Sequence, residues 1–185
     1  QFTLASALDT TATPMGGRLL RRWLNNPLRD IKVLEQRQNF ITQAIASDNP
    51  EELQQCLKPI GDMERILSRI ALRSARPRDL SRLCVSLNAL PGIQTLLQSL
   101  ESTTARSLAT NISEFPAIVN LLTRAIVDNP PVIIRDGGVI AEGYDTELDE
   151  LRGLSQNAGQ FLLDLETQER ERTGLSTLKV GYNRV

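Results

Sequence analysis

Arginines recur at helical spacing in the first half of this chain, and their chemistry is that of anion binding. Arg65, Arg69 and Arg73 lie four residues apart, which places them on one face of a predicted helix. A guanidinium fork matches phosphate oxygens, and phosphate contacts supply most non-specific affinity for nucleic acids. The spacing therefore suits a stripe that contacts phosphates. The other interpretation is a solvated helix face, or arginines that pair with the acidic second half of the chain.

Side chains for proton transfer and metal binding are scarce. The 185 residues include no histidine, which excludes an imidazole general base and a zinc ion held by histidine. The two cysteines, Cys56 and Cys84, both lie on apolar helical stripes, so we expect buried reduced thiols and neither a disulfide nor a zinc site. We therefore predict no catalytic, cofactor-binding or metal-binding residue, and no enzymatic activity for this segment alone.

Two other patterns resemble ligand sites only superficially. Gly137-Gly138 could suggest a phosphate-binding loop, but the Gly-Lys-Ser/Thr of a P-loop is absent and no helix follows directly. A cluster of carboxylates stands at the start of the last predicted helix, where it suits the positive end of the helix dipole. Its members are Asp145, Glu147, Asp149 and Glu150. A metal ion is not needed to explain them, because a hard cation also requires oxygens fixed inward around it.

The charge is divided between the two halves of the chain. Residues 1–85 carry 13 Lys/Arg and 9 Asp/Glu, whereas residues 86–185 carry 8 and 13, so a net charge of −1 conceals a basic half and an acidic half. Any contact with DNA should therefore be local. No apolar run approaches the roughly 18 residues that span a bilayer, and no basic-then-apolar leader is present. We expect a soluble intracellular protein with no membrane partner.

The elements that must position these side chains are predicted to be helices, since aromatic residues make up only 4% of the chain. The first clear helix begins at Thr13-Pro14, a capping residue followed by a proline at the first helical position. Asn26-Pro27 ends it. An apolar stripe predicts that this helix buries the only tryptophan; its members are Met15, Leu19, Leu20, Trp23 and Leu24.

Further apolar stripes predict helices after Asp30, after Asn49-Pro50, from Asp62, and on through the first 126 residues. Gly61 stands where a left-handed helix C-cap is expected. The Ser/Thr-rich residues 99–107 are predicted to form an exposed connection.

The period of the sequence changes at Val132. Val132-Ile-Ile-Arg and Gly138-Val-Ile-Ala flank Asp136-Gly137. This is the strongest hairpin signal in the chain, because Asp-Gly supplies the positive φ angles of a two-residue turn. A long helix follows from Asp145 to about Thr173, with an apolar seam as narrow as that of a coiled coil. Residues 178–183 then alternate like one β-strand, and since a single strand needs partners, we expect the chain to be a piece of a larger protein.

Several blocks, in the same order, resemble the MutS family of DNA mismatch-recognition ATPases. The opening blocks are Leu4-Ala-Ser-Ala-Leu-Asp, Thr13-Pro-Met-Gly-Gly-Arg-Leu-Leu, Arg22-Trp-Leu and Pro27-Leu-Arg-Asp. The later ones are Gly61-Asp-Met-Glu-Arg-Ile-Leu-Ser-Arg, Arg73-Ser-Ala-Arg-Pro-Arg-Asp-Leu, Pro130-Pro-Val-Ile-Ile-Arg-Asp-Gly-Gly-Val-Ile, Gly143-Tyr-Asp-Thr-Glu-Leu-Asp-Glu-Leu-Arg and Glu169-Arg-Glu-Arg-Thr-Gly-Leu-Ser-Thr-Leu-Lys-Val-Gly-Tyr-Asn.

The resemblance implies a mainly α fold. It has a multi-helix core like MutS domain III over residues 1–143, with one short β-hairpin. A long lever helix follows over residues 144–175, and a truncated terminal β-strand over residues 176–185 would be the first strand of a clamp domain like MutS domain IV. The Phe-x-Glu of the mismatch-reading domain and the Walker A sequence of the ATPase domain are both absent. Mismatch reading, ATP and Mg²⁺ would therefore belong to other parts of the parent protein, which would be a DNA-dependent ATPase.

The function implied is mechanical. A core and lever would connect the DNA-gripping clamp to the ATPase domain and transmit nucleotide state, with Lys179, Asn183 and Arg184 as the candidates for contact with the DNA backbone. The partners implied are mismatched double-stranded DNA, a second subunit of the same protein and a MutL-type protein, in the bacterial cytoplasm near the nucleoid or otherwise inside a cell. The alternative is a helical scaffold that binds proteins without binding DNA. We do not expect an enzyme, because the sequence has no histidine and no arrangement of residues that would activate a nucleophile.

Overall fold

The computed structural model describes residues 3–47 and 50–181, except for the side chains of Pro50, Gln156 and Ala158. The described chain is mainly helical, as predicted, and divides between Ile140 and Ala141 into two compact units. The helices of the first unit are α1 (Leu4–Leu8), α2 (Pro14–Asn25), α3 (Ile31–Ala46), α4 (Pro50–Leu57), α5 (Met63–Ala71), α6 (Pro77–Asn88), α7 (Leu90–Ser99), α8 (Thr103–Asn111) and α9 (Pro116–Ala125). The second unit contains α10 (Thr146–Thr173).

Helix starts follow the capping signals in the sequence. The Thr13 hydroxyl accepts a hydrogen bond from the amide of Gly16 at 3.0 Å, and Pro14 takes the first helical position of α2. The carboxylates of Asp30 and Asp62 accept amide hydrogen bonds in the first turns of α3 and α5. These predicted starts are therefore confirmed. None of the helices in the described part of the chain is both long enough and apolar enough to cross a membrane.

The core of the first unit centres on α7 and α8. Ala105 and Ala109 of α8 are 0% and 1% exposed and lie in one cluster with Ile93 and Leu97 of α7. Alanines at this contact let two helix backbones approach closely, and the side-chain amide of Gln94 closes the end of α8 by donating to two of its backbone carbonyls. The smallest side chains of the region are thus its most buried.

The exposed connection predicted for residues 99–107 is wrong. Ser102 is 1% exposed, and its hydroxyl accepts a hydrogen bond from the amide of Ala105 at the start of α8. Ser102 acts as the N-cap of the helix that follows. The sequence pattern does not reveal this helix, because its buried face consists of alanines.

Gly61 does not adopt the left-handed conformation expected of a helix C-cap. It is buried where the chain enters α5, and its amide donates to the hydroxyl of Ser86 in α6 at 2.9 Å. Ser86 is 0% exposed and donates in turn to the carbonyl of Arg82 at 2.7 Å. A Cβ atom on Gly61 would lie 2.6 Å from Cγ of Arg82, so glycine is needed here for close approach.

The prediction that the tryptophan is buried is wrong. Trp23 is 41% exposed, and the guanidinium of Arg37 in α3 lies over its ring, 3.8 Å from the ring centre. The buried residue of α2 is Gly17, on which a Cβ atom would meet Thr11 and Asp9 at 3.2–3.3 Å. The helix therefore packs through its glycines, because they allow the segment before it to lie close.

The predicted β-hairpin is also wrong. Residues 134–136 form a turn of 3₁₀ helix, and the positive φ angles fall at Gly137 and Gly138, one position later than a two-residue Asp-Gly turn requires. The returning segment instead forms an isolated antiparallel bridge between Ile140 and Ile126. Pro130 and Pro131 lack amide protons, so a strand ladder could not extend through the two residues before Val132.

In the second unit, the terminal strand is likewise absent over the described residues up to Gly181. Residues 175–178 make a turn, in which the amide of Leu178 donates to the carbonyl of Leu175 at 3.2 Å. The next residues are held by side chains of α10 and not by another strand. A strand needs a neighbouring strand to satisfy its backbone, and here the helix supplies those partners. The predicted positions 182–185 lie outside the described residues.

We expect Gly61→Ala to lower the free energy of unfolding by about 1–3 kcal/mol, because the added methyl group overpacks the contact with Arg82. The matched control is Gly92→Ala in α7, where a Cβ atom meets nothing within 4 Å. That variant should instead stabilise the chain by roughly 0.5–1 kcal/mol, since alanine is the better helix former. Urea denaturation followed by circular dichroism measures both; equal effects of the two variants would contradict the close-approach role of Gly61.

Candidate nucleic-acid interface

Arg69, the middle residue of the predicted phosphate-contacting stripe, is paired within the chain. Its Nε and Nη2 atoms lie 2.8 and 2.5 Å from the two carboxylate oxygens of Asp79 in α6. The Asp79 carboxylate also accepts the backbone amide of Arg76 at 2.9 Å. The guanidinium lowers the pKa of Asp79, and the carboxylate raises the pKa of Arg69. This bidentate pair leaves Arg69 little capacity to bind a phosphate.

Arg65 is more available but also has a carboxylate beside it. Its side chain is 70% exposed, and its Nε lies 3.4 Å from the nearer carboxylate oxygen of Asp62, one turn earlier. A contact this long and exposed is worth little in energy. Arg65 is therefore a solvated cation on a surface whose charge Asp62 partly cancels.

Asp62 is the centre of a cluster that joins α2 to α5. Its two oxygens lie 2.6 and 2.7 Å from the guanidinium of Arg18, which also reaches Glu64 at 2.5 Å. Hydrogen bonding to Arg18 lowers the pKa of Asp62, and both carboxylates raise the pKa of Arg18. An open hollow of about 580 Å³ adjoins this cluster, lined also by Asp9 and Arg21. Since carboxylates already occupy the guanidinium of Arg18, the hollow is not a strong anion site.

Arg73 has a different environment from the rest of the stripe. Its backbone φ angle is 53°, a value that residues other than glycine rarely adopt. Its amide donates to the carbonyl of Ile70, and the amide of Ser74 donates to that of Arg69 at 2.8 Å. This is the pattern of a helix ending in which glycine is usual at the left-handed position. The stripe is thus split among a bidentate pair, a solvated residue and a strained helix end.

Two of the four carboxylates at the acidic start of α10, those of Asp145 and Asp149, accept hydrogen bonds. The carboxylate of Asp145 accepts the amide of Leu148 at 3.0 Å as the helix cap. Asp149 accepts the amide of Gly143 at 2.7 Å and lies 3.1 Å from Arg152. No group of three or more His, Cys, Asp or Glu side chains is arranged to hold a metal ion within the described residues.

The other end of α10 is built as a clasp, which we define as Glu166, Arg170, Leu178 and Val180. The Nε of Arg170 donates to the carbonyl of Leu178 at 2.7 Å, and the amide of Val180 donates to the carboxylate of Glu166 at 2.9 Å. Arg170 and Glu166 also form an ion pair at 2.5 Å, one helical turn apart. After Gly174, which ends α10 in the left-handed conformation, the chain is therefore fastened back onto the last turns of the helix.

The clasp positions one of the three predicted DNA-contacting residues. Lys179 lies between Leu178 and Val180, and its side chain is exposed. Both flanking backbones are bound to α10, so the base of this lysine side chain is fixed, and none of the described residues forms an ion pair with its ammonium group. Asn183 and Arg184 lie outside the described residues.

The family model of MutS domain III matches residues 1–176 of the chain. The chain belongs to the MutS family. The match covers nearly the whole chain and includes every helix described above. It confirms the resemblance that the sequence blocks carry and identifies this MutS chain as part of a DNA mismatch-repair protein.

Sequence reasoning missed the carboxylates that decide the electrostatics of this MutS chain. Asp62 and Asp79 were recognisable as residues at helix starts, but their guanidinium partners are 44 and 10 residues away. Helical spacing reveals contacts within a helix and not between helices. The clasp was also missed, although Glu166 and Arg170 are separated by the four-residue step typical of helical ion pairs.

Acid should destabilise the chain through Asp62 and Asp79. The pKa of each is lowered by folding, so each stabilises the folded state above its unfolded pKa of about 3.8, and this contribution is lost as the pH falls through the folded pKa. We expect the free energy of unfolding to fall as the pH drops below about 4. Asp79→Asn should lower it by about 1–2 kcal/mol near neutral pH and flatten the acid dependence.

Urea titrations at several pH values check this expectation. The control is Glu101→Gln, which replaces an exposed carboxylate at which the described residues place no guanidinium. A pH dependence that is as steep in Asp79→Asn as in the unchanged chain would contradict the role of the pair.

Proposed function

We propose that this chain is the mechanical part of a MutS-like mismatch-repair protein: a helical core and lever that connects a DNA-gripping clamp to an ATPase domain. The observation that carries the proposal is the clasp at the end of α10. It joins the chain beyond Gly174 to α10 through two hydrogen bonds, each between a backbone group of that segment and a side chain of the helix. The two helix side chains, Glu166 and Arg170, also form an ion pair with each other. A displacement of the helix end would therefore be passed directly to the segment that continues from it.

The length of α10 suits transmission over distance. It is continuous for 28 residues, which corresponds to about 42 Å at 1.5 Å per residue. A helix whose backbone hydrogen bonds are all internal moves as a unit, so a rotation at one end reaches the other. In this proposal the parent protein's ATPase domain, with ATP and Mg²⁺, drives α10 and the clamp receives the movement.

Contact with DNA is proposed only near the clasp. Lys179 is exposed on an anchored backbone, and together with Asn183 and Arg184 it would meet phosphates and not bases. Arg18 and Arg69 in the first unit are already paired with carboxylates. The mismatch itself, the second subunit and a MutL-type partner would be engaged through other parts of the parent protein.

The second candidate is a helical scaffold that binds proteins and has no DNA contact. The internal pairing of Arg69 favours it for the first unit, because that pairing takes one arginine of the stripe away from phosphates. Exposed apolar residues on α10, including Leu154 and Phe161 at 65% each, offer a surface on which another helix could pack.

A duplex-binding measurement separates the two candidates. We expect weak, salt-sensitive binding of the chain to a labelled duplex, with no preference for a mismatch. Lys179→Glu should weaken this binding severalfold, whereas Lys58→Glu, which reverses a charge beside Gln55 in the first unit, should change it little. Fluorescence anisotropy at two salt concentrations measures both variants. Absence of binding favours the scaffold, and tight mismatch-selective binding would overturn the division of roles.

Transmission is tested in the parent protein. A proline in place of Ala158, in the interior of α10, should cost about 3 kcal/mol of helix stability and uncouple DNA release from ATP binding. Ala158→Ser at the same position is the control, because it keeps the helix intact. The measurement is the change in DNA affinity on adding ATP; a change of unaltered size in the proline variant would exclude α10 as the transmitting element.

A further inference from the structure

A cleft on the first unit is lined by residues 73–77 on one side and residues 132–135 on the other, with a volume of about 550 Å³. We call it the arginine cleft. Its first wall is the strained end of α5 and the start of α6, and its second wall is the segment that was predicted to be a strand and is not. The MutS role proposed above uses neither wall.

The second wall of the arginine cleft exposes an unusual amount of apolar surface. Val132, Ile133 and Ile134 are 45%, 56% and 65% exposed, although they are consecutive and all β-branched. Apolar residues scattered singly on a surface need no explanation, but a contiguous group that borders a cleft is typical of an interaction site. The turn of 3₁₀ helix at residues 134–136 holds this group in a defined shape.

The rim of the arginine cleft carries positive charge that the described residues do not hold in ion pairs, although the Asp79 carboxylate, paired with Arg69, also attracts Arg76. Arg73, Arg76 and Arg135 line it, and none of the three forms an ion pair with a carboxylate in the part of the chain that the structure describes. Their neighbour Arg69, in contrast, is held by both oxygens of Asp79. The charge at the cleft is therefore available to a partner that brings carboxylates of its own.

The first wall carries the charge of Arg73 on a strained backbone. Glycine would fit the backbone of Arg73 without strain, because its φ angle is 53°. Folding alone gives no reason for arginine at this position. A cation beside an apolar wall gives one.

We propose that the arginine cleft binds a short acidic and apolar segment of a partner protein. Carboxylates of the segment pair with Arg73, Arg76 and Arg135, and its apolar side chains cover residues 132–134. A protein segment fits both features, whereas a nucleic-acid backbone would pair with the arginines but leave the apolar wall in water. The inference does not depend on the lever role of α10, since every residue of the cleft lies in the first unit.

The test uses the whole chain and a set of short fluorescein-labelled peptides that combine glutamate and leucine in different orders. We expect at least one peptide to bind with salt-sensitive affinity, and its counterpart with lysine for glutamate, or serine for leucine, to bind at least tenfold more weakly. Arg73→Gly, Arg135→Gln and Ile133→Ser should each weaken binding about fivefold or more, while Arg106→Gln on α8, outside the cleft, should not.

Arg73→Gly separates binding from folding. It relieves the left-handed strain, so its melting temperature should rise while its affinity for the peptide falls. Failure of every peptide to bind at millimolar concentration would overturn the proposal. So would displacement of the bound peptide by a DNA duplex combined with equal binding of the serine-substituted peptide, because the cleft would then be a phosphate site.

Discussion

The junction of Gly61 and Asp62 is the constraint on which the arrangement of α2, α5 and α6 depends. The Gly61 amide reaches into α6 through the buried hydroxyl of Ser86, and Asp62 caps α5 while holding Arg18 of α2 with both oxygens. Two adjacent residues thus connect three helices. One of them must be small and the other must be charged, so the junction combines a steric requirement with an electrostatic one.

Carboxylates at helix starts, including Asp62 of this junction, pair with arginines that would otherwise be available to a ligand. Carboxylates at helix starts cap the helices and also bind guanidinium groups from neighbouring helices, as Asp62 does for Arg18 and Asp79 for Arg69. These arginines contribute to folding. Arg73 and Arg135 in the first unit and Lys179 in the second are among the cations that form no ion pair with the described residues. The stabilising pairs and the proposed interaction surfaces therefore use different cationic side chains.

The sequence predicted helix starts well because capping is local. Thr13-Pro14, Asp30, Asp62 and Asp145 needed only a side chain and the next three amides. It failed where tertiary contacts override a local pattern. The apolar stripe of α2 predicted a buried Trp23, but the glycines of that helix, which have no hydrophobic signal, make its closest contacts. The alanine face of α8 was missed for the same reason. The Asp136-Gly137 signal correctly indicated a turn but not the partner of the returning segment, which is Ile126 and not the apolar run before the turn.

The half-exposed stack of Trp23 and Arg37 has a spectroscopic consequence. Trp23 is the single tryptophan of the chain, and it lies at the contact of α2 with α3, outside the buried clusters around Ala105 and Ile66. Its emission therefore reports the separation of these two helices in water and carries little signal from the interior. Fluorescence and circular dichroism observe different parts of this molecule, and a loosening of α2 that leaves the other helices intact is visible to the first method alone.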